Sequence, residues 1–189
     1  NITVPAAVDI DLSGGSFNAG VDNVTITGGN SLSTFTTQTI VDAVKSVDLS
    51  GFSGNGVFTL AADQADSTVT LTGGPLTTDT LTYQITATGT DTPETTAVDT
   101  LIINGDAAAT LDMSKSDATR VDVDVADSTT FTVAAAEATT VRVTDGAGDS
   151  QITVSLADAT GSADTTTIEV KDEGTDIDTG FNIATADIE

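Results

Sequence analysis

Leu101-Ile102-Ile103, Val121-Asp122-Val123 and Val141-Arg142-Val143 recur at a spacing of twenty residues. A second set lies between them: Leu111-Asp112-Met113, Phe131-Thr132-Val133 and Ile152-Thr153-Val154, spaced by twenty and then twenty-one. Apolar residues at alternate positions mark strands with one buried face. Two strands per repeat can be built as a parallel β-solenoid, each triplet stacking on its equivalent in the next coil, or as an antiparallel meander folded into a sandwich. A constant period gives every rung the same surroundings, which favours the solenoid. With the valines pointing inward, Asp122, Asp124 and Arg142 point outward. Asp122 and Arg142, twenty apart, then fall on adjacent rungs and are expected to form a cross-rung ion pair. An exposed pair of this kind contributes under about 1 kcal/mol.

Toward the N-terminus the alternation continues without that period. Val24-Thr25-Ile26, Val47-Asp48-Leu49, Phe58-Thr59-Leu60, Val69-Thr70-Leu71 and Leu81-Thr82-Tyr83-Gln84-Ile85 read as strands at intervals near eleven. Gly14-Gly15, Gly28-Gly29-Asn30, Gly54-Asn55-Gly56 and Gly73-Gly74-Pro75 punctuate them as turns. The expected fold is all-β. Residues 1–95 form a β-rich region, sandwich-like (of immunoglobulin or cadherin type) or irregular, and residues 96–189 form parallel β-solenoid repeats ending in an acidic segment. The turn-rich Thr90–Ala97 stretch is the expected boundary. Only Thr39–Val47 and Val133–Thr139 are compatible with short helices.

Composition narrows the chemistry. The 189 residues carry 29 Asp and Glu against 5 Lys and Arg, a formal charge of -24, with no Cys and no His. Such a surface repels nucleic acid and anionic lipid. Thiol and imidazole chemistry are excluded, as is metal ligation by Cys or His. No apolar run approaches the ~18–20 residues of a membrane span. Carboxylates at this density repel one another unless salt or a hard divalent cation such as calcium screens them. Carboxylate pairs for glycoside hydrolysis could be drawn from so many acids. However, a chain with no Trp and one Tyr has little from which to build a sugar platform, so no enzymatic activity is expected.

Val143-Thr144-Asp145-Gly146-Ala147-Gly148-Asp149-Ser150-Gln151-Ile152 resembles one copy of the glycine- and aspartate-rich nonapeptide of RTX proteins. It departs from that pattern in its leading Asp145-Gly146 and in Ser150, which stands where the motif's aspartate falls. The resemblance implies calcium held by Asp145 and Asp149 with the backbone of Gly146 and Gly148. A plain glycine-rich turn is the competing reading. Over about Thr96–Thr167, Val98-Asp99-Thr100-Leu101-Ile102-Ile103, Ala109-Thr110-Leu111-Asp112-Met113-Ser114 and Ile152-Thr153-Val154-Ser155-Leu156-Ala157-Asp158 resemble repeats of S-layer proteins secreted by bacterial type I systems. That likeness implies an exported, calcium-stabilised β-solenoid that assembles into a lattice at the cell surface. The cluster Asp172-Glu173-Gly174-Thr175-Asp176-Ile177-Asp178 offers Asp172, Asp176 and Asp178 as further calcium ligands, or is a solvated acidic loop.

Two functions follow as expectations. One is a structural, self-assembling component of an extracellular surface layer, with other copies of itself and a cell-surface polysaccharide as partners. The other is a stalk or ligand-binding module of a type I-secreted adhesin. Neither involves nucleic acid or membrane insertion.

Overall fold

The computed structural model describes residues 1–18, 20–41, 43–61, 69–125, 129–144, 151–158, 160, 165–171 and 182–186. In chain order the strands of the first half are β1 (Ile2–Val4), β2 (Ile10–Asp11), β3 (Asn23–Gly28), β4 (Thr34–Thr36), β5 (Ser46–Phe52), β6 (Asn55–Thr59), β7 (Thr70–Thr72), β8 (Thr80–Ile85) and β9 (Thr90–Asp91). Those of the second are β10 (Glu94–Thr96), β11 (Thr100–Gly105), β12 (Thr110–Asp112), β13 (Arg120–Val125), β14 (Thr130–Ala135), β15 (Thr140–Thr144), β16 (Gln151–Leu156), β17 (Thr167–Lys171) and β18 (Asn182–Ala186). There is no helix among the described residues: those of the Thr39–Val47 and Val133–Thr139 stretches are in strand, bridge, turn or irregular backbone. Their β-branched residues pack better on a pleated face than in a helical turn.

Three sheets form, and every strand pair in them is parallel. The longest, here the spine sheet, runs β2-β4-β6-β8-β11-β13-β15-β17 through the whole chain. A first sheet, β1-β3-β5-β7-β10, lies beside its N-terminal part, and a third, β9-β12-β14-β16-β18, beside its C-terminal part. The chain alternates between the spine and one of the other two sheets, which makes the molecule a β-solenoid with coils about 22 residues apart. Among the described residues, only the coil around residues 80–105 contributes to all three sheets, through β8, β9, β10 and β11. There the first sheet ends and the third begins.

The spacing of twenty is realised in the spine, where Leu101 pairs with Val121, Val121 with Val141, and Asp122 with Arg142. In the third sheet the register differs from a simple spacing of twenty, because Leu111 pairs with Val133 rather than Phe131. The slip is two residues, so both side chains remain inside; a slip of one would have turned them out. The expected ion pair is present. Arg142 Nη2 lies 2.5 Å from Asp122 Oδ2, and Arg120 Nε lies 2.7 Å from Asp122 Oδ1.

The sandwich-like expectation for the first half gives way to the same parallel coil. Val24 pairs with Val47 and Val47 with Leu71, at spacings of 23 and 24. The interval near eleven seen in the sequence is half a coil, one strand in each of two sheets. The spine crosses residue 95 unbroken, with β8 and β11 paired over six residues. The core is continuous as well. Phe35, Phe52 and Phe58 fill the N-terminal coils, Phe35 meeting Phe52 edge-on at 6.2 Å. Leu101, Leu111, Val121, Val141 and Ile152 fill the later ones.

Candidate functional site

Stacked coils bring equivalent turn residues into columns, so chemistry in a solenoid collects at its corners. The corner leading into the spine carries Asp79, Asp99, Thr119 and Thr139 in successive coils. Backbone hydrogen bonds tie them: Asp79 O accepts from the N–H of Asp99 (3.0 Å) and of Thr100 (3.1 Å), and Asp99 O from those of Thr119 and Arg120 (both 3.2 Å). Asp99 Oδ2 accepts from Asp79 N at 3.1 Å.

The Asp79 side chain is fully buried. Its Oδ1 accepts from Gly56 N of the preceding coil, and its Oδ2 from Gly74 N at 2.6 Å. A Cβ at Gly56 would sit 2.8 Å from Asp79 Oδ1, so glycine is what lets the carboxylate reach the backbone. Burial raises the carboxyl's pKa above its ordinary value. The two N–H donors pull it back, and the Asp99 charge adds to the rise. The arrangement terminates two backbone donors that would otherwise be buried without partners. Closed to solvent, it is a structural knot and not a reaction site.

The corner leaving the third sheet is open. A groove of about 400 Å³ is lined by Met113, Ser114 and Ser116 after β12, Ala136 and Glu137 after β14, and Ala157, Asp158 and Thr160 after β16. Its turns are set locally. Ser114 N donates to Asp112 Oδ1 at 2.9 Å, and Thr160 N and Oγ1 donate to Asp158 Oδ1 at 3.1 and 2.7 Å. Asp11 makes the same turn with Ser13, whose side-chain and backbone hydrogen bonds lower the pKa of that exposed carboxyl. The same Asp-x-Ser turn forms at Asp11, Asp48 and Asp112, in three different sheets, so the motif by itself does not mark this corner. Glu137 and Asp158 supply carboxylate oxygens there, and Ser114 and Thr160 hydroxyls. Among the described residues no three acidic side chains converge as a metal site.

The coil where the sheets change over has polar groups in its interior. Asp91 and Thr95 are buried, and Thr95 Oγ1 lies 2.7 Å from Ser116 Oγ. Tyr83 is buried too, its hydroxyl without a hydrogen-bond partner among the described residues. Burial first, and the Asp91 charge second, push that phenol well above its ordinary pKa.

The residues expected to bind calcium, Asp145, Gly146, Gly148 and Asp149, and Asp172, Asp176 and Asp178, lie outside the described residues. The strands around them define their place in the chain path. Residues 145–150 join β15 to β16, and residues 172–181 join β17 to β18. Both are spine-to-third-sheet links, in successive coils. No protein-family model matches the chain, and neither the curated proteins nor the solved structures give a match.

Proposed function

We propose that this chain is a structural segment of an extracellular bacterial surface layer, stabilised by calcium, in which the solenoid is a rigid rod and cations relieve repulsion between its coils. One observation carries the reading. Every spine-to-third-sheet link from β11 onward contains acid: Asp106, then Asp127, then Asp145 and Asp149, then the Asp172–Asp178 cluster. Acid therefore recurs once per coil along the chain, and a chain of net charge -24 has few cations of its own to offset it. Calcium takes six to eight oxygen ligands from carboxylates, carbonyls and water, which suits links so rich in carboxylate.

The alternative reading is a stalk or ligand-binding module of a type I-secreted adhesin, for which one continuous parallel spine serves equally well as a rod.

Electron microscopy of the purified chain with calcium and with chelator tests both. The surface-layer reading expects ordered sheets with calcium and dispersal without it, together with a lower melting temperature in chelator. Dispersed monomers under both conditions would leave the stalk. A melting temperature indifferent to chelator would remove calcium from either reading.

A further inference from the structure

The outward face of the spine changes character along its length. From β13 onward it is charged, carrying Arg120, Asp122, Asp124, Arg142 and Glu169. Across β6, β8 and β11 its centre is a grid of two columns and three rungs of β-branched residues, Val57, Thr80 and Thr100 in one column and Thr59, Thr82 and Ile102 in the other, flanked by the amides Asn55, Gln84 and Asn104. All six are partly exposed, and the pairing runs through them without a register shift. Thr36 extends the first column by one rung. No charged residue stands on the outward positions of β4, β6, β8 or β11, although the chain holds 29 acids.

Strand geometry sets the dimensions of the grid: ~4.8 Å between rungs and ~6.7 Å between columns. Both are close to the spacings of oxygen rows on a prism face of hexagonal ice, and strand geometry fixes them, the first by hydrogen bonding between strands and the second by the pleat. β-Branched side chains have one or two χ1 wells in such a setting, so methyls and hydroxyls are held in a fixed array before anything binds. Each threonine offers a hydroxyl to a water lattice and a methyl to the hollow beside it. The patch covers on the order of 200 Å², well short of the roughly 800 Å² per partner of a stable protein interface. It has no aromatic side chain for a sugar ring and no carboxylate for a mineral cation. A periodic solid made of water fits what remains.

We infer that the β6–β8–β11 face of the spine binds the surface of ice, an activity independent of the calcium-dependent assembly proposed above. The test is ice-crystal growth and recrystallisation in dilute solutions of the intact chain, beside the double variant T80K/T82K and the third-sheet variant T132K. Circular dichroism checks that each is folded. The expected result is faceted, slowed growth with the intact chain and with T132K, and a loss of about tenfold or more in T80K/T82K, which strikes the centre of the grid. Thr82→Ala adds no bulk and gives a smaller loss in the same direction, which keeps the test decisive should the double variant misfold. Ice growth unaffected by the intact chain overturns the inference. So does equal loss in T132K, or self-association or binding to insoluble polysaccharide that T80K/T82K abolishes without any effect on ice. Assembly seen by microscopy is scored separately, so either proposal can fail alone.

Discussion

The coils before residue 80 and those after residue 100 share one spine but differ in length and in the side chains that fill them. Paired positions are 21 to 25 residues apart in the earlier coils and 20 to 22 apart from β8 to β16. The wider coils hold Phe35, Phe52 and Phe58; the narrower ones hold Phe131 among Leu, Val, Ile and Ala. Over this stretch the longer coils hold the larger side chains, as close packing requires, although the spacing widens again to 27 and 31 at β15–β17 and β16–β18. Phe52 shows how tightly the wide section is filled: a Cβ on Gly29 would come within 2.5 Å of its ring, and Gly29 also has a φ of 68°, which favours glycine. The comparison teaches that one sheet can hold a constant direction while the cross-section beside it is exchanged.

The largest way to break the contrast is to empty the wide section. Phe52→Ala should cost about 3–5 kcal/mol and Val121→Ala in the narrow section clearly less, because fewer atoms are removed and a smaller cavity remains. Urea unfolding, with hydrogen exchange to show which coils open, measures both. Equal losses would mean that the two sections are packed alike.

Next in size is the knot that joins the two sections. Asp79→Ala leaves the Gly56 and Gly74 N–H groups buried without an acceptor and should cost about 2–4 kcal/mol. Asp79→Asn keeps one acceptor and loses less. Its diagnostic is pH. The folded carboxyl has a raised pKa, so the stability linked to its protonated form is complete below the unfolded value of 3.8 and is lost as pH rises through the folded value. Over that window wild type should lose stability relative to Asp79→Asn as pH rises. Parallel pH profiles for the two proteins would rule this out.

The smallest effect concerns the charged end of the spine. Asp122 is shared by Arg120 and Arg142, with side chains between 17% and 33% exposed. A double-mutant cycle between Asp122 and Arg142 should give about 1 kcal/mol or less, falling as salt is added. A coupling that salt does not change would point to packing of the guanidinium stems instead.

The alternation of apolar with Thr, Asp and Ser identified strands throughout, and the spacing of twenty from Leu101 to Val141 favoured parallel stacking and placed Asp122 beside Arg142, because a constant period gives every rung the same surroundings. The earlier coils were legible as strands but not as coils. Their two strands per turn differ in sequence, so the period of 23 or 24 appeared only as an interval near eleven. The slip that sets Leu111 on Val133 was invisible because a shift of two preserves the inside–outside pattern. Of the candidate site, the acidic links were readable from composition and glycine spacing. The groove at Glu137 and Asp158, the buried knot at Asp79 and the uncharged grid of Val57, Thr59, Thr80, Thr82, Thr100 and Ile102 were not. Those belong to the tertiary structure, since residues about twenty apart in sequence become neighbours only when one coil is laid on the next.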